Sequence, residues 1–88
     1  MTTPKKSKID RVSFRSAFNL VTLDENADYD VTLITSENGY VPDGLTEHSP
    51  SSEPSRVIIA TGKGNVIEAL ENDPKVLRVA APARYNLL

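Results

Sequence analysis

The sequence predicts a small α+β domain, and three observations carry that expectation. Residues Tyr29 to Thr35 alternate apolar and polar side chains, as a half-buried strand does. Residues 57–80 run strand, short helix, strand. The 88 residues are 39% hydrophobic, enough for one modest core. The expected arrangement is an N-terminal antiparallel hairpin or meander over residues 9–41, a Pro/Ser-rich loop over 42–56, and a strand–helix–strand unit with a C-terminal tail over 57–88. A flexible basic arm, residues 1–8, precedes them, because nothing after Met1 in that stretch is apolar.

From Ile9 to Leu23 apolar residues are frequent, and helical and strand templates both match parts of the stretch. The Phe, Val and Thr content of residues 18–23 tilts that half toward strand. Residues 24–30 form an acidic, turn-rich break, and the triplet Val-Thr-Leu occurs on both sides of it, at 21–23 and 31–33. Two similar strands flanking a polar turn predict a hairpin. Asn38-Gly39 marks a second turn, with a short third strand expected at Tyr40-Val41. Pro42, Pro50 and Pro54, with serines at 49, 51, 52 and 55, then describe a long irregular loop.

Val57-Ile58-Ile59-Ala60-Thr61 is a continuous apolar run, suited to a strand covered on both faces. Gly62-Lys63-Gly64 is expected to turn the chain, and Asn65 to cap a helix with Glu68 as its reciprocal partner. Val66, Ile67, Ala69 and Leu70 make the apolar stripe of that helix, and Asn72-Asp73-Pro74 ends it. Val76 to Ala80 is the next strand, giving a βαβ or split α+β unit.

Charge is distributed unevenly. The total is −2, yet residues 1–23 carry +4, residues 24–53 carry eight acids and no Lys or Arg, and residues 54–88 carry +2. Such asymmetry marks interacting segments rather than a uniform solvated surface. There is no cysteine, so neither disulfides nor thiolate–metal sites support a core this small. No apolar run approaches the roughly 18 residues of a membrane span, and no apolar stretch follows the positive N-terminus as a signal peptide requires. The expected location is therefore cytoplasmic or within a virion, not secreted.

Few residues suggest chemistry. Asp24, Asn26 and Asp28 reproduce the first three ligand positions of an EF-hand loop, but Tyr29 stands where the loop needs Gly and Thr35 where it needs Glu. A solvated turn is the better reading, and neither a metal nor a cofactor is expected. Gly62, Lys63, Gly64 and Asn65 form a weak candidate for anion binding, as backbone N–H groups at a helix start attract phosphate. The full P-loop pattern is absent, and a tight turn explains the glycines equally. His48 is the sole histidine and falls in the Pro/Ser loop between Glu47 and Ser49, an environment that does not hold a nucleophile relay. No enzymatic activity and no small-molecule substrate are expected.

The attachments carry the functional expectation. Lys5, Lys6, Lys8, Arg11 and Arg15 form the basic arm, and Tyr85, Leu87 and Leu88 make the tail apolar. The expected function is a non-catalytic structural or assembly protein that binds proteins through the arm, the acidic segment and the tail. The partner is either another protein or a second copy of the chain, and an accessory, capsid-associated subunit of a viral particle suits these features. The alternative is a small nucleic-acid-binding or regulatory protein, with the arm on phosphates and Phe14 and Phe18 stacked on bases.

Overall fold

A computed structural model describes residues 7–20, 22–48 and 55–82. In chain order these form helix α1 (Arg11–Phe18), strands β1 (Asp28–Thr35), β2 (Thr46–Glu47) and β3 (Val57–Lys63), helix α2 (Gly64–Ala69), a 3-10 turn (Leu70–Asn72) and strand β4 (Val76–Ala80). One antiparallel sheet takes the order β2-β3-β1-β4. Strands β3 and β4 each run antiparallel to β1, which lies between them, so they are parallel to each other and α2 makes the crossover. That is a split β-α-β unit, and the α+β class holds.

The N-terminal hairpin is corrected. Residues 11–18 are helical, no strand covers 18–23 among the described residues, and β1 pairs instead with β3 and β4. The helix has a clear local cause. Asp10 is its N-cap, accepting the Ser13 N–H at 3.2 Å, while Ile9 and Phe14 stand at the positions of a hydrophobic staple and both lie in the core. Phe14, Ala17 and Phe18 share one helical face. Asn19 ends the helix with φ at 58°, its N–H donating to the Arg15 carbonyl.

The sheet has one covered face. Val31, Leu33, Ile58, Ala60, Val76 and Val79 point to the helices and are buried with Phe14, Ile67 and Leu70. Phe14 meets Phe18 at a centroid distance of 5.7 Å, and Phe18 meets Tyr29 at 5.1 Å. Val57 and Ile59 on the opposite face are 53% and 40% exposed, so the apolar run at 57–61 is not covered on both faces as its composition suggested.

Two further expectations change. Gly62 and Lys63 belong to β3 rather than to a turn, and Asn65 does not cap α2, whose N-cap is Lys63 without a side-chain bond. Tyr40 and Val41 form no strand but pack against the core, and the extra strand is β2, inside the segment expected to be irregular.

Glu68 joins the two helices. Arg11 donates to both of its carboxylate oxygens, at 2.6 and 2.7 Å, and the Leu23 N–H donates to the same group at 3.2 Å. These bonds hold the Glu68 carboxyl below its ordinary value of 4.5, and the hydrogen bond to Glu68 raises Arg11. Glu71 is lowered as well, first by the Ser7 hydroxyl at 2.5 Å and then by the Lys8 N–H.

Phe14→Ala is expected to cost about 3–5 kcal/mol and to abolish the cooperative urea transition of so small a domain. Val12→Ala, at a position 77% exposed, should change the midpoint by less than about 0.5 kcal/mol. The two lowered carboxylates add stability above their unfolded value and lose it as the pH falls through the folded one. Stability should therefore be level near neutrality and drop as the pH falls below 4.5. Because the Arg11 side chain is 36% exposed, solvent screening limits the effect of Glu68→Gln to a loss of about 1 kcal/mol at neutral pH. The same variant should show a shallower acid decline in urea midpoints.

Candidate protein-binding face

The side of the sheet away from the helices carries exposed aliphatic side chains. It is built from the alternate residues of each strand. Strand β1 contributes Asp28, Asp30, Thr32 and Ile34, and β3 contributes Val57, Ile59, Thr61 and Lys63. Strand β4 adds Arg78 and Ala80 through its register with Ile34 and Thr32. A bulge opposite Ile34 and Thr35 makes Leu77 an extra residue, 51% exposed. Ile34, Val57 and Ile59 lie together toward one end, and Asp28 and Asp30 toward the other. Neither helix covers this side, because both pack on the opposite one.

His48 sits at the acidic end and is not in an unstructured loop, contrary to its expected setting. Its N–H donates to the Ile59 carbonyl at 2.8 Å, which continues the β2 pairing. The Thr61 hydroxyl donates to Asp30 Oδ1 at 2.5 Å and contacts His48 Nε2. Since the hydroxyl proton goes to Asp30, Nε2 is the donor toward Thr61. His48 Nε2 is also 3.3 Å from Asp30 Oδ1. The carboxylate thus stands on the hydroxyl side of the ring and not at Nδ1, where an orienting acid in a nucleophile relay belongs. What this arrangement does is tie β2, β3 and β1 together across the sheet.

The two weak ligand candidates turn out to be packed against each other. The Gly64 N–H donates to the Ala27 carbonyl at 2.9 Å and the Asn65 N–H to the Glu25 carbonyl at 3.3 Å. Carbonyls of the acidic turn therefore take the amides that would face an anion. Within that turn, Asp24 Oδ1 accepts the Asn26 N–H at 2.9 Å, and the Asp24 N–H donates to the Tyr29 hydroxyl. Among the described residues no group of three or more His, Asp or Glu side chains is placed to hold a metal ion. Gly64 is required by this packing, because a Cβ there would meet the Asp24 carbonyl. Lys63 is exposed beside a groove of about 460 Å³ that Asp28, Thr46, His48 and Thr61 also line.

The basic residues divide. Lys5 and Lys6 lie outside the described residues, as do Tyr85, Leu87 and Leu88. Lys8 Nζ donates to the Asp73 carbonyl at 2.8 Å, its N–H to Glu71, and its carbonyl accepts the Val79 N–H at 2.9 Å. With Ile9 bridged to Val79, the chain is docked from Ser7 onward, inside the stretch read as a flexible arm. Arg11 is held by Glu68, and Arg15 is exposed. Of the rings expected to stack on bases, Phe14 is fully buried and Phe18 is half-buried against the core.

A second groove lies between α2 and the chain around Tyr40 and Pro42. There the Tyr40 hydroxyl donates to Asp73 Oδ2 at 2.6 Å, which pushes the phenol up to about 12, and Lys75 Nζ lies 5.2 Å from the ring centroid. No helix among the described residues is long and apolar enough to cross a membrane.

Sequence could have revealed the exposed face only through register. Val57, Ile59 and Ile34 look like core residues until β1 and β3 are paired, when they fall on one side together. The docking of the acidic turn on α2 gives a sharp expectation: Gly64→Ala should destabilise the fold by about 1–3 kcal/mol, read from urea midpoints. Asn65→Ala, which leaves the backbone bonds in place and removes no cap, should stay within about 0.5 kcal/mol. No family model, no curated protein and no solved structure matches this chain.

Proposed function

We propose that this chain is a non-catalytic assembly protein whose uncovered sheet face binds protein, its own copies first among them. One observation carries the reading: Ile34, Val57, Ile59 and Leu77, all large and aliphatic, stand exposed at one end of a face that neither helix covers. Contiguous apolar surface rimmed by polar residues is what a protein interface uses, and Thr32, Asp30 and Arg78 supply the rim. Burial of that face would also supplement a core that holds thirteen buried hydrophobic side chains among the described residues.

An accessory subunit of a viral particle is the narrower form of this proposal, and a small core with exposed aliphatic residues on one sheet face supports it. Nucleic-acid binding is less well supported. The face offers carboxylates and aliphatic groups in place of stacking rings, and two of the five bases of the N-terminal segment are paired within the fold.

Light scattering across a concentration series tests the assembly reading. The natural chain should associate reversibly, and the double variant Ile59→Lys/Leu77→Lys should remain a monomer with an unchanged circular dichroism spectrum. Association that survives the double variant, or a monomer throughout for both proteins, would overturn it.

A further inference from the structure

We infer that Asn38 is a modification site: its side-chain amide is lost spontaneously, giving aspartate and isoaspartate, and the folded turn around it sets the rate. Asn38 and Gly39 are both exposed, just beyond the end of β1. Asn38 is the one asparagine of the sequence that precedes a glycine; the others precede Leu20, Ala27, Val66, Asp73 and Leu87. A following side chain shields the main-chain nitrogen and stiffens the backbone, and glycine does neither. The only co-reactant needed is water.

The chemistry is an internal amide exchange. Hydroxide removes the Gly39 amide proton, and the nitrogen attacks the side-chain carbonyl carbon of Asn38. The N–Cγ bond forms as the Cγ–Nδ2 bond breaks. The leaving nitrogen takes a proton from water and departs as ammonia, which restores the hydroxide. Water then opens the five-membered imide. Attack at the Cγ carbonyl gives aspartate, and attack at the main-chain carbonyl gives isoaspartate, with the chain routed through the former side chain. Either product places a new carboxylate beside Glu37, whose own carboxylate pairs with Lys75 Nζ at 2.9 Å.

The fold holds this reaction back. The Tyr40 N–H donates to the Glu37 carbonyl at 3.4 Å, and Gly39 has φ at 75° while Asn38 keeps a negative φ. These are the marks of a type II turn, in which ψ of the second residue is about +120°. Ring closure needs ψ of the opposite sign, so the turn must open first. The reacting nitrogen is also engaged, because the Gly39 N–H donates to the Ser55 carbonyl at 2.9 Å. The hydroxyl of buried Thr35 donates to the Glu37 carbonyl at 2.8 Å and pins the start of the turn. Amide loss therefore proceeds from an opened turn, at the free-chain rate multiplied by the fraction of time the turn is open. The same opening frees the Gly39 amide proton to exchange with solvent.

The test incubates the full chain in mildly alkaline buffer, with and without denaturing urea, and follows by mass spectrometry the peptide that holds residues 37–40. In urea this peptide should gain the mass of an amide-to-acid change and split into two chromatographic forms, ahead of every other asparagine. In the folded chain the gain should be slower by about tenfold or more. Thr35→Val, with its circular dichroism unchanged, should speed amide loss and Gly39 amide exchange by the same factor, the latter read by magnetisation transfer from water. No gain at this peptide in urea, or an earlier gain at another asparagine, would overturn the site. Equal rates with and without urea would overturn control by the turn, as would a Thr35→Val chain in which exchange speeds up and amide loss does not. If Thr35→Val does not fold, the natural chain with and without urea decides alone.

Discussion

Two short helices cannot cover both sides of a four-stranded sheet, and the rest of the molecule follows from that limit. Helix α1 has 8 residues and α2 has 6. Together with Leu23, Leu45 and the 3-10 turn they close one side around Phe14, Ile67 and the inward residues of β1, β3 and β4. The other side is left with Ile34, Val57 and Ile59 beside threonines and carboxylates. A larger domain would lay further structure across such a surface. Among the described residues neither helix covers it.

The charged segments do different work from the one their composition suggested. The basic N-terminal region looked like a detached arm, yet Lys8 bonds the Asp73 carbonyl, Arg11 clasps Glu68, and Asp10 both caps α1 and pairs with Arg78. These contacts link the start of the chain to α2 and β4, residues 57 to 68 positions away. The acidic turn is also structural. Its main-chain carbonyls receive the first amides of α2, so the helix is capped without a side-chain cap. The −8 stretch therefore includes a turn whose backbone supports the fold while its carboxylates face outward.

Strand β1, the helix that leads to β4, and β4 itself were legible from periodicity, because alternation and the Val66–Leu70 stripe are local signals. The α+β class followed from them. Period leaves helix α1 undecided, since helical and strand templates both match parts of 9–23, although Asp10 with Ile9 and Phe14 spells out a capped start. Strand β2 was hidden because two residues carry no period. The uncovered face was illegible for a different reason: an apolar run such as 57–61 looks the same whether one side or both are buried, and only pairing with β1 decides. For the same reason His48 could not be placed by sequence, since its setting depends on Thr61 and Asp30 from two other strands.

We propose that other chains bind at the face bearing Ile34, Val57, Ile59 and Leu77. Methyl NMR of the natural chain over a dilution series tests it most directly, with the Val12 methyls on α1 as an internal control exposed to solvent away from the face. The methyl resonances of the four face residues should shift together with concentration while those of Val12 stay fixed. Shifts at Val12 with a silent face, or no concentration dependence at any of the five residues, would contradict the account.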